Sequence, residues 1–245
     1  MSTARPEHSD RPHEPAAAGA AGPVRPGWPE VVVGLVALVA AVVVLPFFGP
    51  LGLELDDVTY GLVVAAWSGV AGLTGFAAAA LVRIRSWGAF SVRRTTWRWM
   101  GIGVFGGLVA LGANAALTYG ITELTGFDAN PQGMYYDAAG GGVLPMVLTF
   151  SFLSLLTPLG EEFLFRGVLA NALLRYGPVV GVLGSSVVFA LFHGINIVLP
   201  AALAVGVVAA ELMRRSGSIW PAVAVHVVNN AALPLYVLLT GPGPA

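Results

Sequence analysis

Residues 138–175 read AAGGGVLPMVLTFSFLSLLTPLGEEFLFRGVLANALLR. The first part, residues 138–160, contains no Asp, Glu, Lys or Arg. Glu161, Glu162 and Arg166 then interrupt the apolar run, while the fourth charged residue, Arg175, lies beside the turn Tyr176-Gly177-Pro178 and needs no special role. A helix needs about 20 apolar residues to cross the roughly 30 Å hydrocarbon core of a bilayer, and this stretch supplies them. A charge at the bilayer centre costs about 2.5–3.5 kcal/mol on insertion scales. The segment therefore predicts a membrane helix and marks Glu161, Glu162 and Arg166 as functional candidates.

The same alternation extends along the chain. Residues 31–53, 58–82, 99–122, 176–210 and 216–245 also lack charged side chains. The 176–210 stretch is too long for one crossing, and Gly194, Asn196 and Pro200 offer a break within it. Spans are expected near 31–49, 58–82, 99–122, 145–175, 178–194, 197–213 and 218–240. The predicted fold class is all-α: a polytopic membrane helix bundle with about seven transmembrane helices over residues 29–245. Residues 1–28 are rich in Pro, Ala and Gly without a periodic apolar face, and are expected to form a disordered, solvated cytoplasmic tail.

Composition excludes several classes. The chain is 56% hydrophobic and 10% charged, with a mean hydropathy of +0.79. Soluble domains carry about 25% charged residues. A net charge of −1 gives nucleic-acid binding no electrostatic support. The absence of cysteine excludes disulfides, thiolate zinc sites and cysteine nucleophiles. All twelve basic residues are arginine, which excludes Schiff-base lysine chemistry.

The arginines set an expected orientation. Arg83, Arg85, Arg93, Arg94 and Arg98 follow the second span, Arg175 the fourth, and Arg214 and Arg215 the sixth. The alternate loops carry Glu54, Asp56, Asp57, Glu123, Asp128 and Asp137. The positive-inside rule then makes the N-terminus cytoplasmic, in an integral protein of a bacterial plasma membrane. Gly103 with Gly107, and Gly69, Gly72 and Gly75, have the small-residue spacing of close helix packing. A monomer is the default expectation.

Glu162 and Arg166 are four apart and share a helix face, where they can neutralise one another. Glu161 points about 100° away and has no local partner, as suits a general base. The only histidines outside the tail are His193 and His226, both in apolar spans. Glu161 precedes Gly177 by 16 residues and His193 follows it by 16. A hairpin turning at Gly177 would bring these two to similar depth. Asn230 lies four residues after His226, and Phe189 four before His193. Phe189 is expected to pack its ring on the imidazole. Glu211 and Arg215 are expected to form an ordinary ion pair.

The order EExxxR, FxxxH, HxxxN in separate membrane helices, here Glu161-Glu162 with Arg166, Phe189 with His193, and His226 with Asn230, resembles the CPBP family of intramembrane proteases. That family includes the CAAX prenyl endopeptidases of the Rce type and bacteriocin-immunity proteins. The resemblance covers a protease-like core at about residues 140–235. It implies an endopeptidase acting on a membrane-associated protein or peptide, including prenylated CAAX-type substrates, in which Glu161 and His193 activate a water. It implies that His226 and Asn230 stabilise the oxyanion, with Glu162, Arg166 and Phe189 supporting the site or binding substrate. In this reading Glu162 and Arg166 either hold the site together or contact the substrate's terminal carboxylate. Access is expected from the arginine side, where the Glu161/His193 hairpin turns.

No cofactor is favoured. The alternative is zinc held by His193, His226 and Glu161, although the sequence lacks HExxH and a catalytic zinc needs three ligands plus a separate base. A non-catalytic immunity or scaffold protein that keeps the fold is the alternative function. A proton relay through the same groups ranks third, because polar residues do not extend along several helices.

Overall fold

The charge-free stretches are largely helical in the computed structural model, which describes residues 24–48, 54–127 and 131–241. In chain order these are α1 (Trp28–Phe48), α2 (Asp57–Val82), α3 (Trp97–Thr125), α4 (Gly133–Gly140), α5 (Val143–Tyr176), α6 (Val180–Phe192), α7 (Leu199–Ser216) and α8 (Trp220–Thr240). No strand occurs among the described residues. The protein is an all-α membrane bundle. Each expected span has a helix as counterpart, but among the described residues only α2, α3, α5 and α8 are long and apolar enough to cross a membrane by length and composition. The apolar part of α1 and the whole of α6 are shorter. α7 ends in Glu211, Arg214 and Arg215, which form a joined ion-pair cluster with contacts of 2.7 and 2.5 Å. The short α4 falls where a plain loop was expected.

Faces left outside the bundle are apolar. Phe105, Leu108 and Val109 of α3, and Leu238 and Leu239 of α8, are exposed, as lipid-facing positions must be. Between helices in lipid there is little hydrophobic drive, so close packing of small residues holds them. A Cβ on Gly160 would lie 2.1 Å from the Gly69 carbonyl oxygen, and one on Gly72 would lie 2.5 Å from the Gly160 carbonyl carbon. The backbones of α2 and α5 thus touch beside Glu161. Gly103 and Gly107 make the corresponding approach of α3 to Pro221 and Val228 of α8. The expected small-residue packing is present at both places.

α5 is not a uniform α-helix. Wide π-helical turns span Phe150–Leu156 and Phe163–Ala170, and an α-helical piece, Thr157–Glu162, lies between them. Pro158 removes the N–H that would bond the Ser154 carbonyl, and the first wide turn ends just before it. Such turns are frequent at functional sites.

The two ends of the bundle differ in charge. Arg83 clasps the buried Glu30 at 2.6 Å, Trp28 Nε1 donates to the Tyr176 hydroxyl at 2.9 Å, and the Ser218 hydroxyl donates to the Arg93 carbonyl at 2.8 Å. These contacts gather the start of α1, the end of α2, the α5–α6 turn and the α7–α8 turn at one arginine-rich end. The expected tail boundary moves as a result. Pro26 and Gly27 are buried. The Gly27 N–H donates to Glu30 at 2.7 Å and Arg175 donates to the Pro26 carbonyl. Residues 1–23 of the expected tail, with His8 and His13, lie outside the described residues, as does Asp128.

Candidate active site

Three helices bring the singled-out side chains together. Gly177, at φ +106°, makes the turn that joins α5 to α6. Its left-handed φ favours glycine. α6 then stops at Phe192, and His193 caps it. The break beyond is stapled by Asn196, whose side-chain amide donates to the His193 carbonyl at 2.7 Å and whose Oδ1 accepts from the Val198 N–H at 2.8 Å. Gly194, at φ +83°, completes it. The predicted break thus holds His193 at the inner end of a short helix.

Glu161 is partly open to a cavity. Its Oε1 accepts from the Ser68 hydroxyl of α2 at 3.1 Å. Its Oε2 is buried without a hydrogen-bond partner among the described residues. That atom lies 3.7 Å from His226 Nε2 and 4.0 Å from His193 Nε2. Ser68 is a site residue that sequence reasoning missed; a serine in an apolar span carries no sign of which helix it will meet.

The imidazoles are oriented from behind. His193 Nδ1 lies 3.0 Å from the Phe189 carbonyl, and a carbonyl can only accept, so Nδ1 carries a proton there. His226 Nδ1 is bonded at 2.9 Å to Glu162 Oε1. Both Nε2 atoms consequently face Glu161. The Phe189 ring packs edge-on to both imidazoles, with centroid separations of 4.7 and 5.6 Å.

Glu162 and Arg166 pair as their spacing predicts, at 3.0 Å, and neither has any exposed side-chain surface. Arg166 donates through Nη2 to the Gly206 carbonyl of α7 at 3.2 Å. Its guanidinium also lies 4.4 Å from the Phe189 ring centroid. The pair therefore sits behind Phe189 and His226. Neither residue lines the cavity. Of the two expected roles, this placement suits support and not contact with a substrate carboxylate.

Asn230 lines the cavity, and its amide donates to the Leu153 carbonyl at 3.0 Å. Pro234 cannot donate to the Asn230 carbonyl, and the Ser154 hydroxyl takes that place at 3.3 Å. The first wide turn of α5 thus ties α8 in register at the site.

The cavity has a volume of about 930 Å³ and runs from Glu161, His193 and His226 to Asn114 and Thr118 of α3 and Tyr135 of α4. These α3 and α4 residues lie toward the end away from the arginines. The α5–α6 turn does face the arginine end, but the cavity occupies the other half. The expectation of access from the arginine side is corrected accordingly. The Tyr135 phenol is pushed up to about 12 by burial and by the Glu161 carboxylate, so it remains a proton donor at neutral pH.

A tetrahedral zinc with ligands at 2.0–2.2 Å sets them about 3.3 Å apart. The separations here are 3.7 and 4.0 Å, and no group of three His, Asp or Glu residues among the described residues is arranged to hold a metal ion.

Residues 143–232 match the family model described as type II CAAX prenyl endopeptidase Rce1-like. No curated protein and no solved structure matches the chain. The matched stretch contains Glu161, Glu162, Arg166, His193, His226 and Asn230. It agrees with the resemblance carried by the three motifs, and this part of an integral membrane protein is similar to that family.

Proposed function

We propose that the protein is an intramembrane endopeptidase that hydrolyses a peptide bond of a membrane-associated protein by a metal-free mechanism. The observation that carries this reading is Glu161 Oε2, buried without a hydrogen-bond partner and facing the Nε2 atoms of two histidines. Polar contacts beyond 3.5 Å are the spacing at which a bridging water belongs. A water beside these three atoms would donate to Glu161 and to His193 Nε2.

The reaction then follows from the groups at hand. Glu161 takes a proton from the water as its oxygen adds to the carbonyl carbon of the substrate. Negative charge develops on the carbonyl oxygen. His226, with a proton on each nitrogen, donates through Nε2, and Asn230 donates the amide hydrogen not engaged by Leu153. Before the proton moves, the Glu161 and Glu162 carboxylates balance the Arg166 guanidinium and the His226 imidazolium, and afterwards the oxyanion takes the place of Glu161 as the second negative charge, which limits the cost of burying them. The C–N bond breaks as Glu161 returns the proton to the leaving amine. The remaining water proton passes from the new carboxyl group to the amine, so the products are a carboxylate and an ammonium group.

The orientation that places the N-terminus in the cytoplasm rests on the arginine distribution, and the cavity then faces the other side. A monomer suffices, because the grouped residues come from one chain.

The full chain in liposomes, supplied with a membrane-anchored peptide reporter, is expected to cleave it at a rate unchanged by excess chelator. Loss of activity on chelation and its return with zinc would overturn the metal-free mechanism. Failure to cleave any membrane-anchored reporter would favour the non-catalytic scaffold.

A further inference from the structure

We infer that Ser68 of α2 is a positioning residue for the reaction: its hydroxyl holds one oxygen of Glu161 so that the other is presented to the water. This deepens the peptidase reading above and rests on it.

A hydroxyl in a helix has an ordinary acceptor, the carbonyl one turn earlier. The chain uses it repeatedly. Thr74 donates to the Val70 carbonyl in α2 itself, Thr149 and Ser151 donate to Pro145 and Val147 in α5, and Ser185 and Ser186 to Gly181 and Val182 in α6. For Ser68 that acceptor would be the Val64 carbonyl. Its hydroxyl instead crosses to α5 and donates to Glu161 Oε1 at 3.1 Å. Hydrogen bonds to an ionised group are roughly twice as strong as neutral ones. An ionised Glu161 is thus the acceptor that draws Ser68 away from Val64.

The crossing is held on both sides of Ser68. Three residues before it, the Ala65 carbonyl accepts from the Thr157 hydroxyl at 2.9 Å. Just after it, a Cβ on Gly69 would lie 2.6 Å from the Leu156 carbonyl oxygen, and a Cβ on Gly72 would lie 2.5 Å from the Gly160 carbonyl carbon. Ala65, Gly69 and Gly72 form one helix face, and α5 is seated on it. Ser68 stands at the edge of that seam and lines the cavity beside Glu161.

The consequence is chemical. The two oxygens of a free carboxylate are equivalent, and the group turns about a soft terminal torsion. Ser68 makes them unequal. Oε1 is committed to the hydroxyl, and Oε2 faces His226 Nε2 at 3.7 Å and His193 Nε2 at 4.0 Å. A base must aim a lone pair at the proton it takes, and a misplacement of about 1 Å can cost on the order of 10²-fold. When Oε2 takes the proton from the water, Ser68 keeps its bond to Oε1, now the carbonyl oxygen of the acid. Ser68 itself neither gives up nor gains a proton. It lies outside the family match at 143–232, so the chain's N-terminal half supplies this part of the site.

The test compares Ser68→Ala and Ser68→Thr with the parent, each as the full chain in liposomes with the membrane-anchored reporter. Ser68→Ala is expected to lower kcat by about 10–100-fold while KM changes by less than about twofold. Ser68→Thr keeps the hydroxyl and should stay within a few-fold of the parent. In the Glu161→Gln background, Ser68→Ala should cost little more, because the group it positions no longer acts as a base. Infrared difference spectra of the same liposomes at neutral pH follow the Glu161 carboxylate band, assigned by its loss in Glu161→Gln. That band should move in Ser68→Ala and not in Ser68→Thr. Parent-like kcat in Ser68→Ala, an equal loss in Ser68→Thr, or a band that stays in place in Ser68→Ala would each overturn the inference. If the band moves as expected but the parent cleaves no reporter, the hold of Ser68 on Glu161 stands and the peptidase reading fails.

Discussion

Glu161→Gln is expected to lower cleavage by about 10²–10⁴-fold, the range a positioned general base contributes, while the bundle stays assembled. The substitution keeps the shape of the side chain, and the Ser68 hydroxyl can still donate to the retained carbonyl oxygen, as it does to Oε1 at 3.1 Å. The charge it removes faces His226 Nε2 at 3.7 Å, but His226 keeps its 2.9 Å bond to Glu162 and Arg166 keeps its pair with Glu162, so no buried cation is left without an anionic partner. Because the base acts in the transition state, kcat and kcat/KM should fall together. Rates on the liposome reporter and thermal unfolding in detergent check both halves. Full activity in this variant contradicts the assignment of Glu161 as base.

Arg166→Met should act on stability and not directly on chemistry. It strands Glu162 in the interior, where that carboxylate has no exposed surface and keeps only the bond to His226. Removing one partner of a buried ion pair costs about 3–5 kcal/mol, whereas replacing both with neutral groups is often close to neutral. Arg166→Met is therefore expected to unfold at a clearly lower temperature. The double variant Glu162→Gln with Arg166→Met should recover most of the loss. A single variant as stable as the parent would show that Glu162 does not need the guanidinium.

Much of this arrangement is legible in the sequence, for identifiable reasons. The cost of charge in lipid makes Glu161, Glu162 and Arg166 conspicuous, and the i, i+4 spacing pairs the last two. Equal spacing about Gly177 places Glu161 and His193 at one depth, and Asn196 with Gly194 marks the end of α6. Other features have no local signature. The Ser68 contact depends on the close approach of Gly69 and Gly72 to Gly160, a tertiary fact. The wide turns of α5 depend on how Ser154, Thr157 and Pro158 meet α2 and α8; Thr157, for instance, donates to the Ala65 carbonyl at 2.9 Å. α4 lies in a short segment of mixed character that reads as a loop until it packs on α2, α5 and α8. The half of the bundle that holds the cavity has no local signature either. The turn of the hairpin can be read from sequence, but the open half of a bundle depends on which helices part company.

The central claim is that Glu161 and His193 act on one water. The most direct test is a double-mutant cycle on reporter cleavage with Glu161→Gln, His193→Ala and the two combined. Residues that work as a unit are strongly non-additive. The double variant should cleave no more slowly than the slower single variant, to within a few-fold. If the two losses instead multiply, or if either single variant keeps the parent rate, Glu161 and His193 do not share a water.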